Sequence, residues 1–143
     1  MKYQKLTNTA KTPTKDHPTD AGFDFYADCN AVLKANGGRA KIPTGIALEI
    51  PPGYGGFAWP RSKLADKYGL DLLADVVDAP YRGEVMINMI NHGDTDFEIR
   101  QNDKLAQVIF QPIELFELEE VSRLSESDRG TKGINDSELR LRG

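Results

Sequence analysis

The chain has 143 residues, 28% of them charged, a formal net charge of −4 at pH 7 and one cysteine. That length suits one domain with its own buried core, and the mild acidity excludes the basic footprint of a duplex-binding protein. A lone cysteine excludes an internal disulfide framework, and no stretch approaches a bilayer span, so a soluble cytoplasmic protein is expected, with neither nucleic acid nor membrane as partner.

The 13 glycines and 8 prolines cut the chain into short pieces. Those pieces predict strands at Phe23–Ala27, Ala40–Ile50, Gly55–Trp59, Gly83–Asn91, Phe97–Ile99 and Lys104–Pro112. Ile42, Ile46, Leu48 and Ile50 alternate over much of their span, as do Val85, Ile87 and Met89. This is the period-2 pattern of strands with one buried face. Many short strands separated by turn residues predict an all-β sandwich or barrel. Cys29 reads as a small apolar filler.

The segment PRSKLADKYG breaks the strand pattern and predicts a short helix. Ser62 is placed as its cap, Leu64, Ala65 and Tyr68 face inward, and Gly69 supplies the left-handed residue that ends a helix. Arg61 and Ser62 then stand at a helix N-terminus, where free N–H groups attract an anion. An ordinary serine cap is the plainer alternative.

Val76–Val85, VVDAPYRGEV, reads as a buried strand at Val76-Val77, a hairpin corner at Ala79-Pro80 and a returning strand. Pro80 fixes its own φ and pushes Ala79 towards extended geometry, which holds Asp78 and Tyr81 in a fixed relation. Asp78 is a candidate proton acceptor and Tyr81 a candidate floor for a ring-shaped ligand. A turn aspartate capping its own backbone is the alternative. From about Glu114, acidic and serine residues surround few apolar ones, which predicts a β domain over 1–116 and a solvated, mobile C-terminal arm over 117–143. RGTKGINDS, residues 129–137 of that arm, either folds over a ligand or is plain tail.

Five segments match, in order, the five motifs of a known family: TDAGFDFYA (19–27), WPRSKLA (59–65), DVVDAPYRGE (75–84), NDKLAQVIFQP (102–112) and a worn RGTKGINDS (129–137). Between the first two, IPTGIALEIPPGYGGF (42–57) is similar to that family's linking strands. The chain therefore resembles the trimeric deoxyuridine triphosphate nucleotidohydrolases, the dUTPases. The resemblance implies a distorted jelly-roll, or β-clip barrel, with one short helix. It also implies a homotrimer whose three active sites are each built from all three chains. The implied reaction is hydrolysis of dUTP to dUMP and pyrophosphate, by water attack at the α-phosphorus with Mg²⁺ on the triphosphate. That reaction limits uracil in DNA and supplies dUMP for thymidylate synthesis.

The resemblance also implies roles. Asp78 holds and deprotonates the attacking water, and Tyr81 lies against the deoxyribose and rejects a 2′-hydroxyl. Backbone groups from Leu72 to Val77 pair with the uracil edge, where a donor–acceptor mismatch excludes cytosine. Arg61 and Ser62 serve the phosphates, Gln107 points into the phosphate region, and Arg129 brings charge to the terminal phosphate when the arm closes. Asp24 acts near the metal, through water.

The sequence departs from the family pattern at several positions. Lys63 stands where a small residue is usual and either adds a cation or points to solvent. Asp75 replaces a common glycine, and Pro80 a common aspartate. In the arm, Ile134 stands where an aromatic usually covers the uracil, with Lys132, Asn135 and Asp136 where glycine or serine is common. The alternatives to a hydrolase are a nucleotide-sensing regulatory protein of the same fold with reduced catalysis, and a dCTP deaminase-type relative.

Overall fold

Strict alternation along Glu84–Asn91 places Val85, Ile87 and Met89 in the interior and leaves Glu84, Met86, Asn88 and Ile90 half-buried on the other face. The computed structural model, which describes residues 1–133, builds that strand into a jelly-roll-like all-β fold. In chain order the strands are β1 (Lys2–Lys5), β2 (Gly22–Tyr26), β3 (Ala31–Leu33), β4 (Gly38–Glu49) and β5 (Tyr54–Pro60). Helix α1 (Ser62–Tyr68) follows, then β6 (Leu70–Leu73), β7 (Val76–Val77), β8 (Glu84–Asn91), β9 (Phe97–Ile99) and β10 (Lys104–Pro112). One antiparallel sheet runs β1-β4-β8-β6, a second runs β2-β10-β5-β7, and β3 pairs with β9.

The inner faces of the sheets meet over Phe25, Leu33, Ile42, Ile46, Ile50, Leu70, Met89, Ile99, Leu105 and Val108, each at most 2% exposed. The long strand β4 serves two neighbours. Its first half pairs with β8, its second half with β1, and the register shifts between Pro43 and Ala47. Gly45 makes that shift possible at φ +66°, and a Cβ there would overlap Ala10, Asp28 and Thr7. Its N–H donates to Glu84 Oε1 at 2.7 Å. Cys29 is half-buried, and burial followed by the charges of Asp28 and Glu84 pushes its thiol up, in keeping with a filler role.

Four expectations need correction. The strand at Val76-Val77 is real, but Val76 is 60% exposed and Val77 only half-buried. These two residues do not form a hairpin with Glu84–Asn91. Strand β7 pairs with Phe57 and Gly56 of β5, whereas β8 pairs with β4 and β6, so residues 78–83 cross from one sheet to the other. Ser62 does not cap α1. It is the first helical residue, Arg61 occupies the cap position, and no side chain closes the end. Leu64 and Tyr68 do pack on the core, but Ala65 is exposed. Gly69 ends the helix in the left-handed region as expected, at φ 66°. Strands β1, β3 and β6 are additions to the strands that the sequence predicts.

Asn91 is fully buried and ties three pieces together. Its Nδ2 donates to the carbonyls of Leu33 (3.0 Å) and Thr95 (2.8 Å), and its Oδ1 accepts from Gly93 N–H at 2.9 Å. Truncation removes all three bonds and orphans the Leu33 carbonyl in the interior. Asn91→Ala is expected to cost about 3 kcal/mol of stability in urea unfolding, against about 0.5 kcal/mol for a typical surface change.

Candidate active site

The register of the second sheet sets out the site. Gln107 of β10 lies opposite Asp24 of β2 on one side and Trp59 of β5 on the other. Opposed residues of antiparallel strands share a face, so these three stand outward while Phe25, Ala58, Ala106 and Val108 go to the core. Immediately after β5, the chain turns through Arg61 into α1. Gly22 faces Gln107 closely: a Cβ there would sit 3.1 Å from the Gln107 Cβ and 3.2 Å from its Oε1. The result is a cleft of about 400 Å³ lined by Asp16, Asp20, Asp24, Arg61, Ser62, Lys63 and Gln107, with Ala21 and Gly22. It brings together five of the predicted site residues.

Asp24 is the fixed point of this cleft. Its side chain is 13% exposed, with Arg61 Nε 3.2 Å from Oδ1 and Lys104 Nζ 2.7 Å from Oδ2. Lys104 in turn holds Asp16, at 2.6 Å to Oδ1 and 2.7 Å to Oδ2. The hydrogen bond from Lys104 keeps the Asp16 carboxyl below its ordinary range, and the bonds to Asp16 and then Asp24 raise the Lys104 ammonium. Because Asp24 engages the Arg61 guanidinium at Nε, the two terminal nitrogens of its fork remain available for an oxyanion.

Among the described residues no three His, Cys, Asp or Glu side chains form a metal cage, and both oxygens of Asp24 already face cations. This donor set does not suit an ion held by protein alone. It does suit a Mg²⁺ that keeps its waters and takes oxygens from substrate phosphates.

The other predicted residues lie elsewhere. Leu72 is buried on β6, and Val77 packs at the core edge on β7. These two strands are the outer members of their sheets, so the Leu72–Val77 stretch has backbone groups on its open side for a partner. Asp78 is exposed at the corner, where its carbonyl accepts from Tyr81 N–H at 3.1 Å. Tyr81 is 47% exposed, and its hydroxyl donates to the Glu84 carbonyl at 3.0 Å. The ring folds over Gly83, where a Cβ would collide with it. Neither Asp78 nor Tyr81 lines the cleft that holds Arg61, Ser62 and Gln107. Residues 113–133 contain no strand or helix and are exposed throughout. In that stretch, Arg129 Nε donates to the Lys132 carbonyl at 2.8 Å. Ile134 lies outside the described residues, with Asn135 and Asp136.

A family model described as dUTPase matches residues 8–138. The chain belongs to the dUTPase family. It is 40% identical over 142 residues to the deoxyuridine 5′-triphosphate nucleotidohydrolase of Clostridium acetobutylicum, covering 98% of this chain and 97% of that one. Its structure is similar to that of the dUTPase of Staphylococcus bacteriophage 80alpha with dUPNHPP, at a TM-score of 0.87 and 27% identity over 95% of this chain and 96% of that one. It is also similar to a mutant dUTPase from phage phi11 of S. aureus, a structure described for its coordination of a structural Mg(II) ion. There the TM-score is 0.78 and the identity 28%, over 85% of this chain and 96% of that one. No helix among the described residues is long and apolar enough to cross a membrane.

Within this dUTPase-family cleft the sequence reading missed Asp16 and Asp20; beside it, it missed Lys104, and at the corner after Asp78 it missed Gly83. Lys104 carried one signal: it stands three residues before Gln107, inside the fourth motif. Asp75 is a different matter. Its Oδ1 is buried with no hydrogen-bond partner among the described residues, and the preceding Ala74 is held at φ 59°. Burial, and then the charge of Asp71, push the Asp75 carboxyl above its usual 3.8. A carboxyl raised on folding favours the folded state below its unfolded pKa, and that advantage is lost as pH rises through the folded value. Asp75→Asn is therefore expected to raise the thermal midpoint at pH 7. The gain should shrink to nothing as pH falls below about 4, which melting curves across that range would read directly.

Proposed function

We propose that the chain hydrolyses dUTP to dUMP and pyrophosphate, acting as a homotrimer with shared active sites. The observation that carries this is the cleft itself. It presents Arg61, Ser62, Lys63 and Gln107 around a carboxylate already fixed by two cations, within a family of deoxyuridine triphosphate nucleotidohydrolases. Similarity to the phage enzyme described with dUPNHPP supports the same substrate class.

The geometry supports a division of labour. The free fork of Arg61, the Ser62 hydroxyl, the Lys63 ammonium and the Gln107 amide bind the phosphates and hold the α-phosphorus in place. Asp78 takes a proton from a water as that water's oxygen bonds to the α-phosphorus. The bond from the α-phosphorus to the bridging oxygen breaks, and pyrophosphate leaves. A carboxylate is a modest base at neutral pH, so placement supplies much of the rate. Tyr81, braced by its hydroxyl bond to Glu84, packs against the deoxyribose. Backbone groups between Leu72 and Val77, on the open edges of β6 and β7, read the uracil. A Mg²⁺ would be held by Asp24 through water and would screen the phosphate charge.

Shared sites account for two observations. Asp78 and Tyr81 stand apart from the phosphate cleft, so a neighbouring chain supplies them. Leu115 (75% exposed), Phe116 (81%), Leu118 (99%) and Leu124 (82%) line an arm with little apolar cover from its own chain. Such a stripe suits burial against another copy. In this assembly the arm, with Arg129, closes a site on a neighbour.

Pyrophosphate release should be measured from dUTP beside dTTP, dCTP and UTP. Turnover confined to dUTP, lowered by about 100-fold or more in Asp78→Asn, is expected. Binding of dUTP without turnover would favour the sensor reading instead, and ammonia from dCTP the deaminase. The shared site predicts complementation. Asp78→Asn and Arg61→Ala chains, each inactive alone, should regain activity when mixed, unfolded and reassembled together. If the mixture stays inactive while each variant still assembles as the wild type does, both residues act within one chain.

A further inference from the structure

The charges of the phosphate cleft nearly cancel. Asp16 and Asp24 are answered by Lys104 and Arg61 in one connected chain of contacts. Asp20 also lines the cleft, its carboxylate accepting from His17 N–H at 2.8 Å. Lys15 Nζ donates to the Asp20 carbonyl, and Lys63 lines the same cleft. Lys63 is exposed at the second position of α1, and its ammonium makes no hydrogen bond or ion pair among the described residues. It lines the cleft and also the adjoining cavity of about 480 Å³, where Lys11, Arg61 and Lys104 are the other cations. Of these, Lys11 lies over the Tyr26 ring at 4.0 Å, while Arg61 and Lys104 are held by Asp24. Lys63 is thus the cation on this wall that can move to a ligand without breaking a contact.

A triphosphate entering this cleft brings several negative charges to a surface with almost no net charge of its own. Helix α1 has only seven residues, so the compensating charge must come from side chains or from a mobile ion. Among the residues lining the cleft, Lys63 and Arg61 are the cations set against three carboxylates, and removing Lys63 leaves Arg61 as their sole counter-charge. We propose that Lys63 is a phosphate-binding residue whose charge backs up that of the divalent cation, so that this chain holds a deoxynucleoside triphosphate even without metal. The inference rests on the reading of the cleft as a triphosphate site and deepens it. Lysine suits the role because its ammonium is a compact charge on a flexible stem, able to follow a phosphate whose position shifts when the metal is lost.

The test is calorimetric binding of a dUTP analogue with an imido group bridging the α- and β-phosphates, in Mg²⁺ and again in EDTA. Wild type, Lys63→Gln and Lys63→Arg would be compared, each checked for an unchanged melting midpoint. Because Lys63 is exposed and glutamine is a comparable helix former, folding is expected to be retained. Expected is a loss for Lys63→Gln of about threefold or less in Mg²⁺ but about tenfold or more in EDTA. Lys63→Arg should stay within about threefold of wild type in both. An equal loss in the two buffers, or none in either, overturns the role of Lys63. Failure of the wild type to bind the analogue in Mg²⁺ overturns the triphosphate reading itself, and the two failures are distinguishable.

Discussion

A carboxylate set between a guanidinium and an ammonium is the constraint on which the candidate cleft depends. Asp24 comes from β2, Lys104 from the start of β10 and Arg61 from the turn between β5 and α1, with Asp16 added from the loop before β2. Isolated surface ion pairs contribute little, but a connected network of partly buried charges restricts every member at once. Here the network fixes which nitrogen of Arg61 faces inward and which face the cleft. The same two contacts leave Asp24 unsuited to direct metal ligation and suited to a water-separated ion.

The sheets below do the coarse positioning. Strand β10 sits between β2 and β5, so a single register brings Asp24, Gln107 and Trp59 into one row while the alternate residues pack the core. A slip of one residue would exchange the two faces, which makes the buried row of Phe25, Ala106 and Val108 a guarantor of the polar one. The crossing between the sheets obeys a different logic. Residues 78–83 leave the second sheet and enter the first, and their geometry is held locally by the Tyr81 hydroxyl on Glu84 and by the absence of a side chain at Gly83. Neither Asp78 nor Tyr81 lines the cleft of its own chain.

Asp75 is where the structure runs against local rules. A half-buried carboxylate with an orphaned oxygen follows a non-glycine residue in the left-handed region. Backbone strain of this kind survives only where the surroundings over-determine it. The Asp75 carbonyl accepts from Ala58 N–H at 2.8 Å, which anchors the loop to β5. The strained segment is thus held against the sheet, between the outer strands β6 and β7.

The sequence by itself determined the β class, the strands with a clear period of two and the left-handed end of α1, because each depends on spacing along a few residues. It also named Arg61, Ser62, Asp78, Tyr81 and Gln107 as chemistry-bearing, since the motif order of the dUTPases is linear. It could not show β1, whose four residues are all exposed and carry no alternation, nor β3, which has only three residues. It misread Val76 as buried and the corner as a hairpin because β7 pairs with the distant Gly56 and Phe57, and pairing at that separation leaves no local mark. Lys104 and Asp16 stood 88 residues apart, so their contact was invisible until β2 and β10 aligned. Tertiary structure alone decided the charge balance of the cleft and its separation from Asp78, because both are sums over side chains that only folding brings together.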